Sequence, residues 1–371
     1  MEGDDMTGFN EIDLDLLKNL SEADGIGGME REVSRIVTTY GEQYSDEIRY
    51  DNLGSVILKA SGQVDGPKIM LSSHMDEVGF MVRSITDDGY VNLLPVGGWW
   101  GHVMPAQEMT ITTAEDKKII GVIGSRAPHG LPEEIKEKVI KPMDLYLDLG
   151  IDSREAVESL GVSIGDMITP NVQFREMNDS NYLMGKAWDD RCCVGVGLEV
   201  LKNLKAIEHN STIYFAATTQ EEVGIRGART AVHTIKPDIA IALDVTTATD
   251  TPFDNKGMKL GGGVVLSVLD SLTIGNSGMV RMMEEIVKDL NLDVRFDFMT
   301  VGGTDACNIH KMLDGVVSMT LSLPTRYMHS PRLIIHKEDY IQTIKLVTEF
   351  CRRLDWSSLN QMKAAVGISN L

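Results

Sequence analysis

The stretch Ser211–Gly224, STIYFAATTQEEVG, most constrains how this chain can fold. Ile213, Tyr214 and Phe215 are β-branched or aromatic, and Ala216 and Ala217 leave room for close packing, so the run reads as a strand. Its nearly continuous apolar character suits a strand buried on both faces of a sheet. The strand ends at two adjacent carboxylates, Glu221 and Glu222. Two acids at the mouth of a buried strand repel each other unless a positive charge lies nearby. A divalent metal is the simplest such partner, and one Glu can then ligate while its neighbour moves a proton. Taken by itself the pair also reads as a solvated acidic turn, so its meaning depends on the rest of the chain.

At 371 residues the chain exceeds the usual size of one core, which predicts two domains or one domain carrying an insertion. The net charge of −20 excludes nucleic acid as an expected partner, because phosphates would be repelled, and it suits a cationic or metal-bound one. No run approaches a membrane span, and MEGDDMTGFNEID lacks a basic-then-apolar leader, so a cytoplasmic protein with no membrane partner is expected. Cys192, Cys193, Cys307 and Cys351 are too irregularly spaced for a disulfide framework.

In chain order, residues 1–10 read as a loose acidic tail. Asp13–Leu20 and Gly28–Tyr40 have helical spacing, with Glu30 and Glu32 biasing the first turn of the second helix. Lys68–Ser73 is a strand that runs into His74-Met75-Asp76-Glu77. From about Val78 to Asn178 short β-like runs (Phe80–Ile85, Tyr90–Leu94, Glu108–Thr113, Ile119–Ile123, Leu145–Leu149) alternate with Gly, Pro and Asp turns. That texture predicts a small β-barrel or sandwich inserted into an α/β host. The division expected is a catalytic domain over 1–77 and 179–371, with an inserted domain over 78–178. Beyond it, helices over Cys192–Leu204, Arg226–Ile235, Ser277–Leu290 and Lys337–Leu354 alternate with strands. The strands are Asp238–Val245, Val264–Leu269, Val294–Met299 and Gly315–Leu323.

Against these strands the acids and histidines form a pattern. His74, the Glu221-Glu222 pair and Asp244 each sit at or just beyond the carboxyl end of a short strand, and His329 follows one after a short loop. Open parallel sheets collect ligands at that edge, and Asp189, before a helix, can reach it. Nitrogen and oxygen donors with no thiolate suit a pair of Zn²⁺ or Co²⁺ ions sharing a carboxylate. Two such ions activate water for amide hydrolysis, and a carboxylate not spent on ligation serves as general base. Glu221 is assigned that role and Glu222 is assigned as ligand. Asp76 is expected to hydrogen-bond the far nitrogen of His74 and fix its tautomer. The other histidines, His102, His129, His209, His233, His310 and His336, belong to no comparable cluster. Asp189-Asp190-Arg191 and Asp244 retain a simpler reading as turn and helix caps.

The motifs HMDEVGF (74–80), GKAWDDR (185–191), TTQEEVGIRGA (218–228), ALDVTTATDTP (242–252), GGTDA (302–306) and SLPTRYMHSP (322–331) together resemble the tetrahedral (TET) aminopeptidases. These are co-catalytic metallopeptidases that include the glutamyl aminopeptidases, and some carry an endoglucanase label. The resemblance runs in unbroken order from about Asp13 to Leu354. It implies metal ligands at His74, Asp189 (bridging), Glu222, Asp244 and His329, a catalytic base at Glu221 and an orienting Asp76. It also implies a mixed-sheet α/β metallopeptidase fold of the phosphorylase/hydrolase-like type, with an inserted β-barrel dimerisation domain. Members assemble as homo-oligomers, tetrahedral dodecamers that act on short peptides. Trp188, Cys192-Cys193 and VVLSVLDSLTI (264–274) depart from the pattern and bear on pocket shape.

Three other functions would need different residues. A carboxypeptidase or deacylase on the same scaffold needs a cation for the substrate carboxylate. A glycosidase needs two carboxylates and no metal. A non-catalytic scaffold would lack Glu221 or a ligand, and none is missing. In the inserted domain, Trp99, Trp100 and Met104 are candidate subunit contacts, because adjacent tryptophans cannot both face one core from an extended strand.

Overall fold

The strand at Thr212–Thr218 lies within an eight-stranded mixed sheet of a computed structural model that describes residues 11–255 and 257–368. The expected acidic tail over 1–10 lies outside the described residues. Across the sheet the strands run Glu47–Tyr50, Val56–Ala60, Thr212–Thr218, Lys68–His74, Ile239–Thr247, Val317–Thr325, Val264–Leu269 and Val294–Phe298. The four from Thr212–Thr218 to Val317–Thr325 are mutually parallel, so their carboxyl ends collect on one edge. Thr218 stands in register with His74, and Asp244 with Ser322.

These parallel strands are buried because helices cover both faces, which is why they read as unbroken apolar runs. Alternation decides which residue meets which layer. Ile69, Leu71, Ile213, Phe215 and Leu243 pack with the helices Leu14–Glu22, Trp188–Ala206 and Lys337–Arg353. Met70, Ala216 and Ala240 pack with Arg226–Ile235 on the opposite face. The antiparallel pairs Val56–Ala60 with Thr212–Thr218, and Val264–Leu269 with Val317–Thr325, make the sheet mixed.

The β-rich middle of the chain closes into a barrel. Gly79–Ile85, Val91–Val96, Tyr146–Asp148, Lys118–Ile123, Glu108–Thr112 and Met167–Pro170 follow one another around it. Phe80, Val82, Leu93, Ile111, Leu147 and Ile168 fill the interior. Met167–Pro170 was absent from the expected strands because four residues ending in Pro show no alternation. It pairs with both Gly79–Ile85 and Glu108–Thr112, and so closes the ring. Met104 is fully buried in the barrel core, which removes it from the expected subunit contacts. Trp99 stacks on Phe80, with ring centroids 5.4 Å apart, and donates its indole N–H to the Gly79 carbonyl at 2.8 Å. Trp100 alone of the three is well exposed, at 59%.

Buried charge joins barrel to sheet. Lys186 donates to Asp24 Oδ1 at 2.9 Å, Glu77 Oε1 at 2.5 Å and the Ala23 carbonyl at 2.9 Å. Asp24 in turn accepts from Thr169 of the barrel at 2.6 Å and from Lys118 at 2.7 Å. Burial alone would raise the pKa of Asp24, but Lys186 and Lys118 outweigh it and hold the carboxyl well below its usual range. Every charge in the group is paired, the condition under which buried ions are tolerated.

Several boundaries differ from expectation. The second helix starts at Arg31 rather than Gly28, because Gly28 takes φ +91°, a conformation that favours glycine. The strand expected over Asp238–Val245 spans Ile239–Thr247, which places Asp244 inside it rather than at its end. A short helix over Glu133–Lys136 interrupts the β-rich middle of the chain. The strand Leu333–His336 and the helix Trp356–Ala364 were not anticipated. Among the described residues, no helix is long and apolar enough to cross a membrane.

Candidate metal centre and active site

His74 is the last residue of its strand, and its partner Thr218 is the last of the neighbouring one. The chain then turns through Thr219-Gln220-Glu221-Glu222, with Gln220 at φ +58°. Gly224 and Ile225 N–H groups return to the Glu221 carbonyl at 2.9 and 2.8 Å and close the turn. The Asp76 carboxylate spans it. Oδ1 accepts the Glu221 N–H at 2.9 Å and Oδ2 accepts the Glu222 N–H at 3.1 Å.

That arrangement corrects the role expected for the Asp76 carboxylate. His74 Nδ1 bonds the backbone carbonyl of Asp76 at 2.8 Å, whereas the carboxylate Oδ1 lies 3.6 Å away. A carbonyl only accepts, so Nδ1 carries a proton, and the ring presents Nε2 to the site. Around Nε2 stand Asp189 Oδ1 at 3.2 Å and Glu221 Oε2 at 3.9 Å.

Asp189 sits between the two histidines, its Oδ2 being 3.5 Å from His329 Nε2. His329 Nε2 is also 3.5 Å from Glu222 Oε1, a buried atom with no hydrogen-bond partner. Two donor groups overlap at His74. One is His74, Asp189 and Glu222, and the other is His74, Asp190 and Asp244; within each group the donor atoms lie within 4.8 Å of one another. Asp244 Oδ1 accepts the Val245 N–H at 2.7 Å. The structure thus brings His74, Asp76, Asp189, Glu221, Glu222, Asp244 and His329 to one sheet edge.

It also brings three carboxylates to which the sequence reading gave no part in the site. Asp190 Oδ2 accepts from Ser73 Oγ at 2.7 Å and from His74 N–H at 3.1 Å, while its buried Oδ1 is unpartnered. Asp305 of the GGTDA motif accepts from Thr218 Oγ1 at 2.7 Å, at the end of the strand that leads into the Glu221-Glu222 turn. Glu30, expected to favour a helix N-terminus, instead accepts N–H groups from Gly28 and Gln220. The signals were the Asp-Asp dipeptide and GGTDA, both visible but without an assigned partner.

Charge is unbalanced here. Burial, aided by the Asp189 charge, pushes Glu222 up to about 8. Burial likewise takes Asp244 to about 8, with Asp189 adding to it. Glu221 is raised well above its usual value by burial and by the charges of Asp244 and Glu222. His329 rises to about 9: burial opposes this, but its hydrogen bond to Asp189 and the charge of Glu222 prevail. Asp189 is held well below the usual range, its burial outweighed by both histidines. Lys186 and Arg191, the nearest cations in sequence, are turned away. Lys186 is committed to Asp24 and Glu77, and Arg191 to the carbonyls of Leu20, Ala23 and Gly25. Orphaned buried oxygens, crowded acids and two His Nε2 atoms beside the same Asp189 carboxylate form a donor set that fits divalent cations.

The departures at Trp188 and Cys192-Cys193 belong to the core. Trp188 is fully buried, donates its indole N–H to the Leu183 carbonyl at 3.2 Å and packs edge-on to Phe174. Cys192 and Cys193 are buried free thiols bonded to the Trp188 and Asp244 carbonyls.

Residues 54–346 match the family described as M42 glutamyl aminopeptidase. The lysyl aminopeptidase of Pyrococcus furiosus is 32% identical over 352 residues, covering 92% of this chain and 98% of the relative. The crystal structure of the TET aminopeptidase from Thaumarchaeota archaeon SCGC AB-539-E09 superposes with a TM-score of 0.91 at 37% identity, over 94% of this chain and 98% of that one. The Pyrococcus horikoshii TET1 peptidase, which can assemble into a tetrahedron or a large octahedral shell, superposes with a TM-score of 0.82 at 28% identity, over 92% of this chain and 99% of that one. The chain belongs to the M42 glutamyl aminopeptidase family, and is a metal-dependent hydrolase acting on peptide bonds.

Proposed function

We propose that this aminopeptidase removes N-terminal residues from short peptides with two divalent ions per subunit, Zn²⁺ or Co²⁺, and with Glu221 as general base. The observation that carries this reading is the division between the paired glutamates. Glu222 Oε1 faces His329 Nε2 at 3.5 Å, whereas Glu221 Oε2 has only His74 Nε2, at 3.9 Å, among the described residues. His74, Asp189, Glu222, Asp244 and His329 would hold the ions, with Asp189 between the two sites. When bound, the ions supply Lewis acidity toward a water and the scissile carbonyl.

The residues do the rest. Glu221 takes a proton from the attacking water as its oxygen bonds to the carbonyl carbon. The same carboxyl then returns the proton to the amine as the C–N bond breaks. Asp76 orients this base, because both of its oxygens are spent on the Glu221 and Glu222 N–H groups. Acidic surroundings favour a free α-amine over a carboxylate at the substrate end, which supports an aminopeptidase over a carboxypeptidase. Lys186 and Arg191 are committed elsewhere, so neither offers a carboxylate its cation.

A panel of acidic, neutral and basic aminoacyl-nitroanilides tests this on metal-free protein reconstituted separately with Zn²⁺, Co²⁺ and Mn²⁺. Turnover is expected only with metal, and N-acetylation of the substrate should abolish it. Hydrolysis of N-acetylated or C-terminal-only substrates would favour the deacylase or carboxypeptidase reading.

The proposal extends to assembly in the cytoplasm as a homo-oligomer, a tetrahedral dodecamer, with the barrel supplying dimer contacts. Its four cysteines are free thiols, as a reducing compartment requires. Exposed apolar side chains on the barrel, Trp100, Ile120, Val122 and Met143, support a covered surface. Sedimentation in metal-replete buffer should give a particle many times the 40.9 kDa of one chain. A 40.9 kDa species would remove the oligomer and leave the peptidase standing.

A further inference from the structure

Three successive N–H groups at the head of the catalytic turn point at two buried carboxylates. Asp76 takes those of Glu221 and Glu222. The first, from Gln220, goes to Glu30 Oε1 at 3.0 Å, across 190 residues of sequence. Glu30 is 5% exposed, and the same oxygen accepts the Gly28 N–H at 2.7 Å. Although Glu30 is the residue before the helix Arg31–Gly41, its side chain makes no capping bond to that helix.

The segment that carries Glu30 is firmly seated. Ile26 is fully buried and forms a parallel bridge with Glu77. The Met29 N–H returns to the Ile26 carbonyl at 2.8 Å. Arg191 holds the Gly25 carbonyl at 3.1 Å. Gly27 lies so close to the turn that a Cβ there would stand 3.1 Å from Val223 Cγ2 and 3.2 Å from Asp76 Oδ2. The N-terminal loop is therefore a rigid platform pressed against the catalytic turn, and Glu30 is its one side chain bonded to that turn's backbone among the described residues.

We infer that Glu30 is a positioning residue for the general base: by accepting the Gln220 N–H it fixes the residue before Glu221, which sets where the Glu221 carboxylate points. This rests on Glu221 being the base. Gln220 adopts a left-handed backbone conformation, uncommon for a residue with a side chain, so something must hold it there. Asp76 fixes the N–H groups after the bend and Glu30 fixes the one before it. Neither carboxylate alone determines the turn.

Three variants and two readouts test this in the full chain. Glu30→Ala removes the acceptor and is expected to lower kcat roughly 10- to 100-fold, the scale of a misplaced catalytic group. KM and bound metal should be little changed. Glu30→Gln keeps an amide oxygen able to accept both N–H groups and is expected to restore kcat to within about threefold of wild type, a rescue that loss of charge alone would not permit. Glu30→Asp keeps the charge but withdraws the acceptor by one methylene. It should behave like Glu30→Ala, and it substitutes for that variant should Glu30→Ala not fold.

Hydrogen exchange gives a reading independent of turnover, with the Gln220–Glu222 amides exchanging faster in Glu30→Ala or Glu30→Asp and not in Glu30→Gln. Unchanged exchange and kcat in the folded Ala or Asp variant would overturn the inference, as would a Glu30→Gln variant as impaired as Glu30→Ala. If Glu221→Gln retained full turnover, the base assignment would fail while the exchange result stood by itself, so the two failures are distinguishable.

Discussion

Glu221→Gln should lower kcat by about three orders of magnitude while leaving metal content and fold intact, within the range lost when a general base is removed. The amide is nearly isosteric and the backbone N–H bond to Asp76 does not involve the side chain, so the turn keeps its shape. What disappears is the group that takes the proton from water. KM should change little, because the ligands that would meet the substrate carbonyl are untouched. The neighbouring Glu222→Gln is expected to behave differently, since Glu222 Oε1 faces His329 and Asp189 lies close by. Its loss of activity should be accompanied by weaker metal binding and be partly recovered at high metal concentration. If the two variants exchanged these phenotypes, base and ligand would have to be swapped.

Asp189→Ala should release both ions on dialysis and reduce activity to background. Asp189 lies between the two histidines, with Oδ1 3.2 Å from His74 Nε2 and Oδ2 3.5 Å from His329 Nε2. Removing it also leaves several crowded acids without the shared ligand that would draw cations among them. By contrast, Asp244→Ala should weaken chiefly the ion on the Asp190 side, and His329→Ala chiefly the ion on the Glu222 side. Metal analysis after dialysis separates these outcomes. Two ions retained in Asp189→Ala would remove its bridging role.

The sheet edge was legible because buried parallel strands produce unbroken apolar runs, and a charged residue that ends such a run stands out. His74 and the Glu221-Glu222 pair are conspicuous for that reason, and the barrel is conspicuous for its closely spaced turns. What stayed hidden depends on contacts between distant segments. Asp190 reaches His74 across 116 residues, Asp305 reaches Thr218 across 87, and Glu30 reaches Gln220 across 190. No local periodicity reports such pairs.

The role expected for the Asp76 carboxylate failed for a geometric reason. Alternation places His74 and Asp76 on one side only while the chain stays extended, but the strand ends at His74. Asp76 is then free to turn its carboxylate toward the Glu-Glu turn. Met104 departs from the expected subunit contacts because the alternation argument for adjacent tryptophans says nothing of a residue four positions beyond them. A 3₁₀ turn over Gly101–Val103 instead folds it into the barrel core.

The proposed mechanism requires two ions held at one sheet edge with Glu221 left unligated. An anomalous-scattering crystal structure of the Zn²⁺-reconstituted protein tests it most directly. Two peaks are expected, one against His74 and Asp244 and the other against Glu222 and His329, with Asp189 reaching both and Glu221 coordinated to neither. A single peak, or a Glu221 oxygen at ligand distance with Glu222 turned away, would contradict it.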